Sequence, residues 1–294
     1  MLEFKTIALN DKEWIKAALK SSDFRGCEYS FSNNMAWRRL YDTQICRYKG
    51  FYISCSHKHG AQFIFPAGEG DYRDVFNQMA KYSEKNNVPF TVNSVTNGNL
   101  PIFEELYPGR YTVTQDEGGF DYIYGAEDLR TLSGKKYHGK RNHLNRFNHN
   151  HWQYNALTEK DFDDCIEFAV KNYNLNGGYD DESSVSEQFA INTFFNHFEA
   201  LELKGGIVRV DGEIQGFTIG EGLNSDTFVI HIEKANPLLQ GSYAAINHEF
   251  AKAETAGYTY INREEDLGLE GLRKAKRSYY PRFLLEKNTV TINL

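Results

Sequence analysis

The sequence predicts an α+β fold built from two similar units in tandem, each with a mixed, mostly antiparallel sheet flanked by helices. Its 294 residues suffice for two domains of medium size. The hydrophobic patterns give the same order of elements, β-α-α-β-β-β-α-β-α-β, once in each half. A basic segment without acids divides the halves. We therefore predict an N-terminal unit over 1–130, a basic linker helix over 131–151 and a C-terminal unit over 152–294.

The first half alternates short strands with amphipathic helices, and its clearest helix follows Asp71. This aspartate suits an N-cap, and apolar residues recur after it at spacings of three and four. A turn at Tyr48-Lys49-Gly50 separates two strands. The predicted elements are, in order, strand 4–9, helices 11–19 and 34–41, strands 44–47, 51–55 and 62–65, helix 71–86, strand 89–93, helix 100–106 and strand 111–124.

The second half repeats this order around a hairpin. The pair Asp211-Gly212 between two alternating runs is the strongest short hairpin signal in the chain. The predicted elements are strand 152–157, helices 159–173 and 186–203, strands 206–210, 215–221 and 227–233, helix 243–256, strand 258–262, helix 271–279 and strand 284–292. The repeated order predicts an internal duplication of an α+β unit.

The composition argues against several classes of protein. The content of 40% hydrophobic and 25% charged residues is that of an ordinary globular chain, and the net charge of −7 gives no global signal for nucleic acid or membrane. No window reaches the roughly 18 apolar residues of a membrane span, and the N-terminus lacks a secretory signal. The four cysteines match no zinc pattern. We expect a cytoplasmic protein with no transmembrane segment and no metal.

The most unusual segment is Tyr258–Pro281, where acids, bases and phenols lie together at the junction of a strand and a helix. Active sites of open α/β sheets often lie at such strand ends. The acids Glu264, Glu265 and Asp266 are typical of a site for a cationic substrate group, or they neutralise the basic helix that follows. Tyr279 and Tyr280 follow this helix, where aromatic residues usually pack into a core.

A second segment, Ser133–Trp152, is rich in lysine, arginine and histidine and contains no acid. Helical spacing places Tyr137, Leu144 and Phe147 on one side and leaves a basic stripe elsewhere. Such a helix in an acidic protein is typical of a site for anions or an RNA backbone, and equally of a solvated connecting helix. The histidines lack the HxxxH spacing that places two metal ligands on one helical face.

The strand over 227–233 ends in His231 and Glu233, which simple alternation places on the same side. A carboxylate or an imidazole in such a place can accept the proton of a nucleophile. The alternative is a polar pair satisfied within the core. The next loop, Gln240-Gly241-Ser242, begins a helix whose N-terminus favours a bound phosphate, or is merely capped.

The order of elements resembles the GNAT acyltransferase fold, and the loop at 240–244 resembles its phosphate-binding loop without the second glycine. Two longer blocks, Ser133–Phe147 and Tyr260–Pro281, closely resemble the family of the C-terminal domain of phosphatidylglycerol lysyltransferases, also called domain of unknown function 2156. The stretch Gly216–Phe250 is similar to the same family. This resemblance covers residues 20–290 and implies two GNAT-like units in tandem.

Relatives in that family take an aminoacyl group from aminoacyl-tRNA and pass it to a lipid or another acceptor. The resemblance therefore implies an aminoacyl- or acyltransferase whose acceptor is a lipid or a small amine or hydroxyl. The large membrane-embedded part of the lysyltransferases is missing from this sequence, so lipid delivery is unexplained. The resemblance gives Glu233 or His231 the role of proton acceptor and Tyr280 that of proton donor. Lys136, Lys140 and Arg141 would contact the tRNA, and Arg263, Arg273 and Lys276 would form the wall of the cleft. Glu265 and Asp266 would orient a cationic aminoacyl group.

Two alternatives stand beside this hypothesis. One is an acyl-CoA-dependent N-acyltransferase that binds its cofactor at Gln240, Gly241 and Ser242. The other is a binding module that keeps the fold without the chemistry. The donor is accordingly aminoacyl-tRNA or acyl-CoA, and no further cofactor is expected.

Overall fold

The structure is a computed structural model that describes residues 2–58, 60–175 and 182–294. By its internal contacts the chain divides into two units. Unit 1 comprises Met1–Asp121 and Leu285–Leu294, and unit 2 comprises Tyr122–Leu284. The predicted α+β class is confirmed, because each of the two mixed sheets is flanked by helices.

The regular elements follow one another with short connections. The α-helices are α1 (Lys12–Ser22), α2 (Phe31–Trp37), α3 (Tyr72–Asn86), α4 (Leu100–Leu106), α5 (Ala126–Thr131), α6 (His138–Phe147), α7 (Phe162–Leu175), α8 (Glu182–Asn196), α9 (Ser242–Glu254) and α10 (Glu270–Arg277). The strands are β1 (Lys5–Thr6), β2 (Thr43–Tyr48), β3 (Phe51–Ser56), β4 (Gln62–Ile64), β5 (Ala67–Gly68), β6 (Phe90–Val95), β7 (Tyr111–Gln115), β8 (Asp121–Gly125), β9 (Trp152–Ala156), β10 (Lys204–Val210), β11 (Glu213–Gly222), β12 (Thr227–Ala235), β13 (Tyr260–Asn262), β14 (Phe283–Leu285) and β15 (Asn288–Ile292).

Unit 1 contains the sheet β1-β2-β3-β4-β6-β15-β7, with β5 paired to β3. Strands β4 and β6 are parallel, whereas β15 is antiparallel to both of its neighbours. The side chain of Asp71 accepts hydrogen bonds from the first turn of α3, as an N-cap does. The buried face of α3 places Phe76 against Phe90 and Phe103, which forms the aromatic core of this unit.

Unit 2 contains the sheet β14-β8-β13-β12-β11-β10-β9. Strands β12 and β13 are parallel, but they pair only over Thr227–Val229 and Tyr260–Asn262. Beyond this point β13 ends and β12 continues to Ala235. Helix α9 packs on one face of the sheet, and α7 and α8 pack on the other. The end of the β12–β13 pairing leaves room for polar side chains at the edge of this core.

Two strands that the sequence predicts as continuous are each divided between the two sheets. The predicted strand over 111–124 is β7 and β8, separated by a 3-10 turn at Glu117–Gly119 that the side chain of Asp116 caps. The predicted strand over 284–292 is β14 and β15. Apolar alternation is the same whichever sheet a strand joins, so the sequence pattern does not reveal the exchange.

The basic segment forms a 3-10 turn at Lys135–Tyr137 followed by α6, and its contacts place it within unit 2. Tyr137 and Phe147 are buried and Leu144 is half-buried, as the helical spacing predicts. Phe147 packs against Ala245 and Ile246 of α9. The basic side chains therefore extend from a helix that is anchored on the core of unit 2.

Candidate functional site

A β-bulge in β12 determines which side chains reach each face of the sheet in unit 2. Ile219 of β11 pairs with Ile232, and the next residue, Gly220, pairs with Ile230, so that His231 is the inserted residue. An inserted residue changes the alternation of the side chains that follow it. The bulge lies just beyond the point where β12 and β13 stop pairing.

As a result, His231 and Glu233 lie on opposite faces of the sheet. The imidazole of His231 stacks on Phe194 of α8, with the ring centroids 5.2 Å apart. Glu233 instead accepts a hydrogen bond of 2.8 Å from Asn247 of α9. The prediction that both side chains share one side is wrong, because strict alternation does not account for the inserted residue.

His231 is buried between two carboxylates. Its Nδ1 lies 2.9 Å from Glu264 Oε1, and its Nε2 lies 3.2 Å from Glu221 Oε1. Burial lowers the pKa of His231, but the hydrogen bonds to the two glutamates outweigh this effect and raise the pKa to about 9. At neutral pH the ring is therefore an imidazolium that donates from both nitrogens, which does not suit a proton acceptor.

Glu233 is the carboxylate of a second, separate cluster on the α9 face. Arg263 Nη2 donates to its Oε1 at 2.7 Å, and Asn247 Nδ2 donates to its Oε2. Arg263 Nη1 and Asn247 Oδ1 are also buried, yet neither has a hydrogen-bond partner in the described part of the chain. Leaving such a group unpaired costs about 1–3 kcal/mol. A ligand that pairs with both atoms would remove this cost.

The ring of Tyr279 connects this cluster to the basic segment. Arg263 Cζ lies 4.7 Å from the ring centroid, and Lys140 Nζ lies 3.5 Å from it. Both distances are typical of cation–π contacts. Burial raises the pKa of the Tyr279 phenol, which keeps the ring neutral. We call Lys140, Glu233, Asn247, Arg263 and Tyr279 the lysine–arginine centre.

Lys140 has a second polar contact and an unusual proton affinity. Its Nζ donates a hydrogen bond of 2.6 Å to Ser278 Oγ. Burial and the charge of Arg263 lower the pKa of Lys140 to about 8, although Glu233 opposes this change. With Lys140 protonated, the centre holds two cations and one carboxylate. It therefore suits an anion, or a carbonyl oxygen that gains negative charge during a reaction.

Three other predicted residues brace the loop that follows β13. Asp266 is fully buried and accepts from Arg273 Nε at 2.7 Å and from Tyr122 Oη at 2.7 Å. The hydrogen bond from Arg273 lowers the pKa of Asp266 to about 2. Lys276 Nζ donates to the backbone carbonyls of Arg263 and Glu264. Asp266 therefore neutralises the basic helix that follows, which is the alternative role predicted for the acids. Glu265 is half-buried beside it.

Three further predicted residues, Lys136, Arg141 and Tyr280, lie towards the outer surface of unit 2. Arg141 donates to the carbonyls of Leu132 and Gly134. Tyr280 is 46% exposed, and Lys136 Nζ lies 5.9 Å from its ring centroid. Arg141 also lines a groove of about 410 Å³ between α6 and α9. The other polar residues of this groove are Thr131, His138, Asn142, Asn145, Asn148, His248 and Glu249.

The loop Gln240–Ser242 begins α9 as predicted, but α6 lies against its glycine. Gly241 has a φ of +91°, and a Cβ on this residue would lie 2.3 Å from the carbonyl oxygen of His143. The hydroxyl of Ser242 donates to the carbonyl of Asn236. A carbonyl oxygen at this place repels an anion, so the contact argues against phosphate binding by the loop.

A family model described as phosphatidylglycerol lysyltransferase, C-terminal, matches residues 19–290 of the chain. The chain belongs to this family. Among the described residues, every helix is too short or too polar to cross a lipid bilayer.

Solved structures agree with the membership in the phosphatidylglycerol lysyltransferase C-terminal family. A conserved protein of unknown function from Bacteroides thetaiotaomicron is 39% identical, with full coverage of both chains and a TM-score of 0.95. The C-terminal domain of a putative lysylphosphatidylglycerol synthetase from Agrobacterium fabrum is 13% identical, covering 97% of this chain and 92% of that one, with a TM-score of 0.67. A tandem GNAT protein from the clavulanic acid biosynthesis pathway is 10% identical over 100% and 99% of the chains, with a TM-score of 0.52. The tandem GNAT-like fold is therefore confirmed.

One curated relative, an uncharacterized protein of Mycoplasmoides gallisepticum, is 26% identical over 190 residues. The match covers 60% of this chain and 57% of the length of that relative. This match shows similarity of sequence, and the relative itself is described as uncharacterized.

Sequence reasoning missed several members of the two clusters in this lysyltransferase-family chain. Asn247 lies in the middle of an amphipathic helix, where a buried amide has no local signal. Glu221 ends a strand and becomes a partner of His231 only through the bulge. Tyr279 and Tyr280 are adjacent phenols in the sequence, and only the structure shows that Tyr279 is the buried one.

Proposed function

We propose that unit 2 transfers an aminoacyl group from aminoacyl-tRNA to an amine or hydroxyl acceptor, with the chemistry at the lysine–arginine centre. The observation that carries this proposal is the pair of buried, unpartnered atoms, Arg263 Nη1 and Asn247 Oδ1. One is a donor and the other an acceptor. An aminoacyl ester offers the complementary groups, a carbonyl oxygen for the arginine and an amine for the amide oxygen.

The charges of the centre support acyl transfer. The guanidinium of Arg263 would stabilise the negative charge that develops on the carbonyl oxygen when the ester is attacked. Glu233 holds that guanidinium in place through the 2.7 Å ion pair. Lys140, whose pKa is about 8, is partly neutral at physiological pH and would accept the proton of the attacking group.

The outer surface of α6 offers a path for the RNA. Lys135 and Arg146 are exposed, and Arg141 lines the polar groove between α6 and α9. Phosphates bind to such basic surfaces without regard to sequence. We propose that the acceptor arm of the tRNA lies along α6 and that its ester enters the lysine–arginine centre from there.

The family to which the chain belongs is named for phosphatidylglycerol lysyltransferases, which makes lysyl-tRNA and phosphatidylglycerol the first donor and acceptor to test. The test incubates the protein with tRNA that carries radiolabelled lysine, in the presence of phosphatidylglycerol vesicles or of small amines. Wild-type protein should move the label to one class of acceptor. The Lys140→Met variant should lose at least about 100-fold in rate, which is typical for the loss of a proton acceptor.

A matched control for that variant is Lys171→Met, which removes an exposed lysine paired with Glu167 on α7. It should transfer at the wild-type rate. Equal rates for Lys140→Met and wild type would reject the assignment of the centre. Loss of activity in both variants would indicate a general effect of lysine removal.

RNA binding is tested separately with the double variant Lys135→Gln/Arg146→Gln. The slope of log affinity against log salt concentration should fall by about one for each phosphate contact removed. The Lys171→Met variant should keep the wild-type slope. An unchanged slope in the double variant would place the RNA elsewhere.

The acyl-CoA alternative receives less support, because α6 lies against the loop at Gly241. Calorimetric titration with acetyl-CoA distinguishes the two donors. We expect no saturable heat, whereas micromolar binding would favour the N-acyltransferase hypothesis.

A further inference from the structure

We propose that Ser278 and Lys140 form a nucleophile and base pair, through which the transferred acyl group passes as an ester of Ser278. The identity of the natural acyl donor in this inference rests on the proposed function. It adds a covalent intermediate and a catalytic serine to that function, in place of direct transfer from donor to acceptor.

The hydrogen bond between the two side chains carries the proposal. Lys140 Nζ lies 2.6 Å from Ser278 Oγ, while the serine hydroxyl donates to the carbonyl of Ala275 at 2.5 Å. Ser278 is half-buried at the end of α10, so a substrate can reach its oxygen. A nucleophile within hydrogen-bond reach of a base is the geometry that serine–lysine enzymes use.

A third group orients the base, as this type of catalysis requires. The ring of Tyr279 lies 3.5 Å from Lys140 Nζ and restricts where the amine can point. Burial and the charge of Arg263 lower the pKa of Lys140 to about 8, so the neutral amine is available near physiological pH. An exposed lysine would be almost fully protonated under the same conditions.

The reaction has two balanced steps. In the first, neutral Lys140 takes the hydroxyl proton while Ser278 Oγ bonds to the acyl carbon, with the oxyanion facing Arg263. The bond from the acyl carbon to the donor oxygen then breaks, and that oxygen takes the proton from Lys140. In the second step, the acceptor amine or hydroxyl gives its proton to Lys140 and attacks the acyl carbon. Ser278 Oγ leaves and recovers the proton.

The hydrogen bond also has a purely structural explanation, in which Ser278 only provides an acceptor for a half-buried ammonium. The two explanations differ in the reactivity of the serine. A serine that merely accepts a hydrogen bond is no more reactive than other serines, whereas a serine beside a neutral amine reacts with activated esters.

The test uses 4-nitrophenyl acetate, a small activated ester that needs no tRNA. Wild-type protein should acquire one acetyl group on the peptide that contains Ser278, and neutral hydroxylamine should remove it, because it cleaves esters and leaves amides intact. The rate of acetylation should rise with pH and reach half its maximum near the lowered pKa of Lys140, about 8.

Three variants complete the experiment. Ser278→Ala should lose the label, and Lys140→Arg, which keeps the charge but cannot give up its proton, should be labelled at least about 100-fold more slowly. Ser21→Ala is the matched control, because Ser21 makes the same type of hydrogen bond to the carbonyl three residues earlier, in unit 1. It should be labelled at the wild-type rate, and circular dichroism should show that all variants are folded.

The outcomes separate this inference from the proposed function. Absence of a hydroxylamine-sensitive label at residue 278, an amide on Lys140 instead, or equal labelling of Lys140→Arg would overturn the pair. If Ser278→Ala transfers from aminoacyl-tRNA at the wild-type rate, transfer is direct, and the proposed function stands without the serine ester. If Ser278 is acetylated but aminoacyl-tRNA is never discharged, the pair stands and the donor assignment fails.

Discussion

The buried imidazolium of His231 should make the stability of unit 2 depend on pH between 7 and 9. In the folded protein its pKa is raised to about 9 by Glu221 and Glu264, against an ordinary value of 6.5. A group whose pKa is raised on folding stabilises the folded state fully below its unfolded pKa. This contribution is lost as the pH rises through the folded pKa. Stability should therefore fall towards alkaline pH.

The size of the effect follows from the two pKa values. Their difference corresponds to about 3 kcal/mol of free energy of unfolding at low pH. By the same linkage relation, about 2.5 kcal/mol of this is present at pH 7 and about 0.5 kcal/mol at pH 9. The expected loss between these values is about 2 kcal/mol, which is large for a protein of ordinary stability.

The assay is urea unfolding at pH 7, 8 and 9, followed by circular dichroism, for the wild type and His231→Gln. The difference in free energy of unfolding between the two proteins should shrink by about 2 kcal/mol from pH 7 to pH 9. Taking the difference between the two proteins cancels the contributions of other titrating groups to the free energy of unfolding. Lys140 is one such group, because its lowered pKa changes stability with pH in the opposite direction. The His248→Gln variant, which changes a half-buried histidine bonded to the carbonyl of Leu129, is the control. A difference independent of pH would refute the reasoning.

Two further predictions concern stability and are measured by urea unfolding at pH 7. Gly241→Ala should lower the free energy of unfolding by about 2 kcal/mol or more, because the residue has a left-handed backbone and its new methyl group would meet α6. Gly257→Ala, where a Cβ has open space, should stay within about 0.5 kcal/mol of wild type, and similar losses in both variants would contradict the contact. Asp266→Asn should cost about 3 kcal/mol, because it removes the buried partner of Arg273, and a loss below about 1 kcal/mol would show that this ion pair is not structural.

The sequence predicts the elements of this fold well where a single periodic pattern covers the whole element. The buried side of α6, with Tyr137, Leu144 and Phe147, is one such case, and the N-cap of α3 at Asp71 is another. Both depend on interactions within a few residues of the chain. Two segments of unusual composition also stand out in the sequence: Tyr258–Pro281 mixes acids, bases and phenols, and Ser133–Trp152 is basic and contains no acid.

The parts that sequence could not predict depend on contacts between distant strands. The run of β12 is typical of a regular buried strand, and only its pairing with β11 shows that His231 is an inserted residue. The exchange of β15 into the sheet of unit 1 has no local signal, because a strand is equally apolar in either sheet. Lys140 and Ser278 are 138 residues apart, so their pairing appears only in the folded chain.

The most direct test of aminoacyl transfer at the lysine–arginine centre is the single-turnover discharge of aminoacyl-tRNA by wild type and Arg263→Lys. Lysine keeps the positive charge but loses the second nitrogen that faces the proposed carbonyl oxygen. We expect discharge by the wild type to exceed hydrolysis in buffer, and a rate about 100-fold lower for Arg263→Lys with unchanged affinity for tRNA. No discharge by wild-type protein that binds the charged tRNA, or equal rates for the two proteins, would contradict the proposed centre.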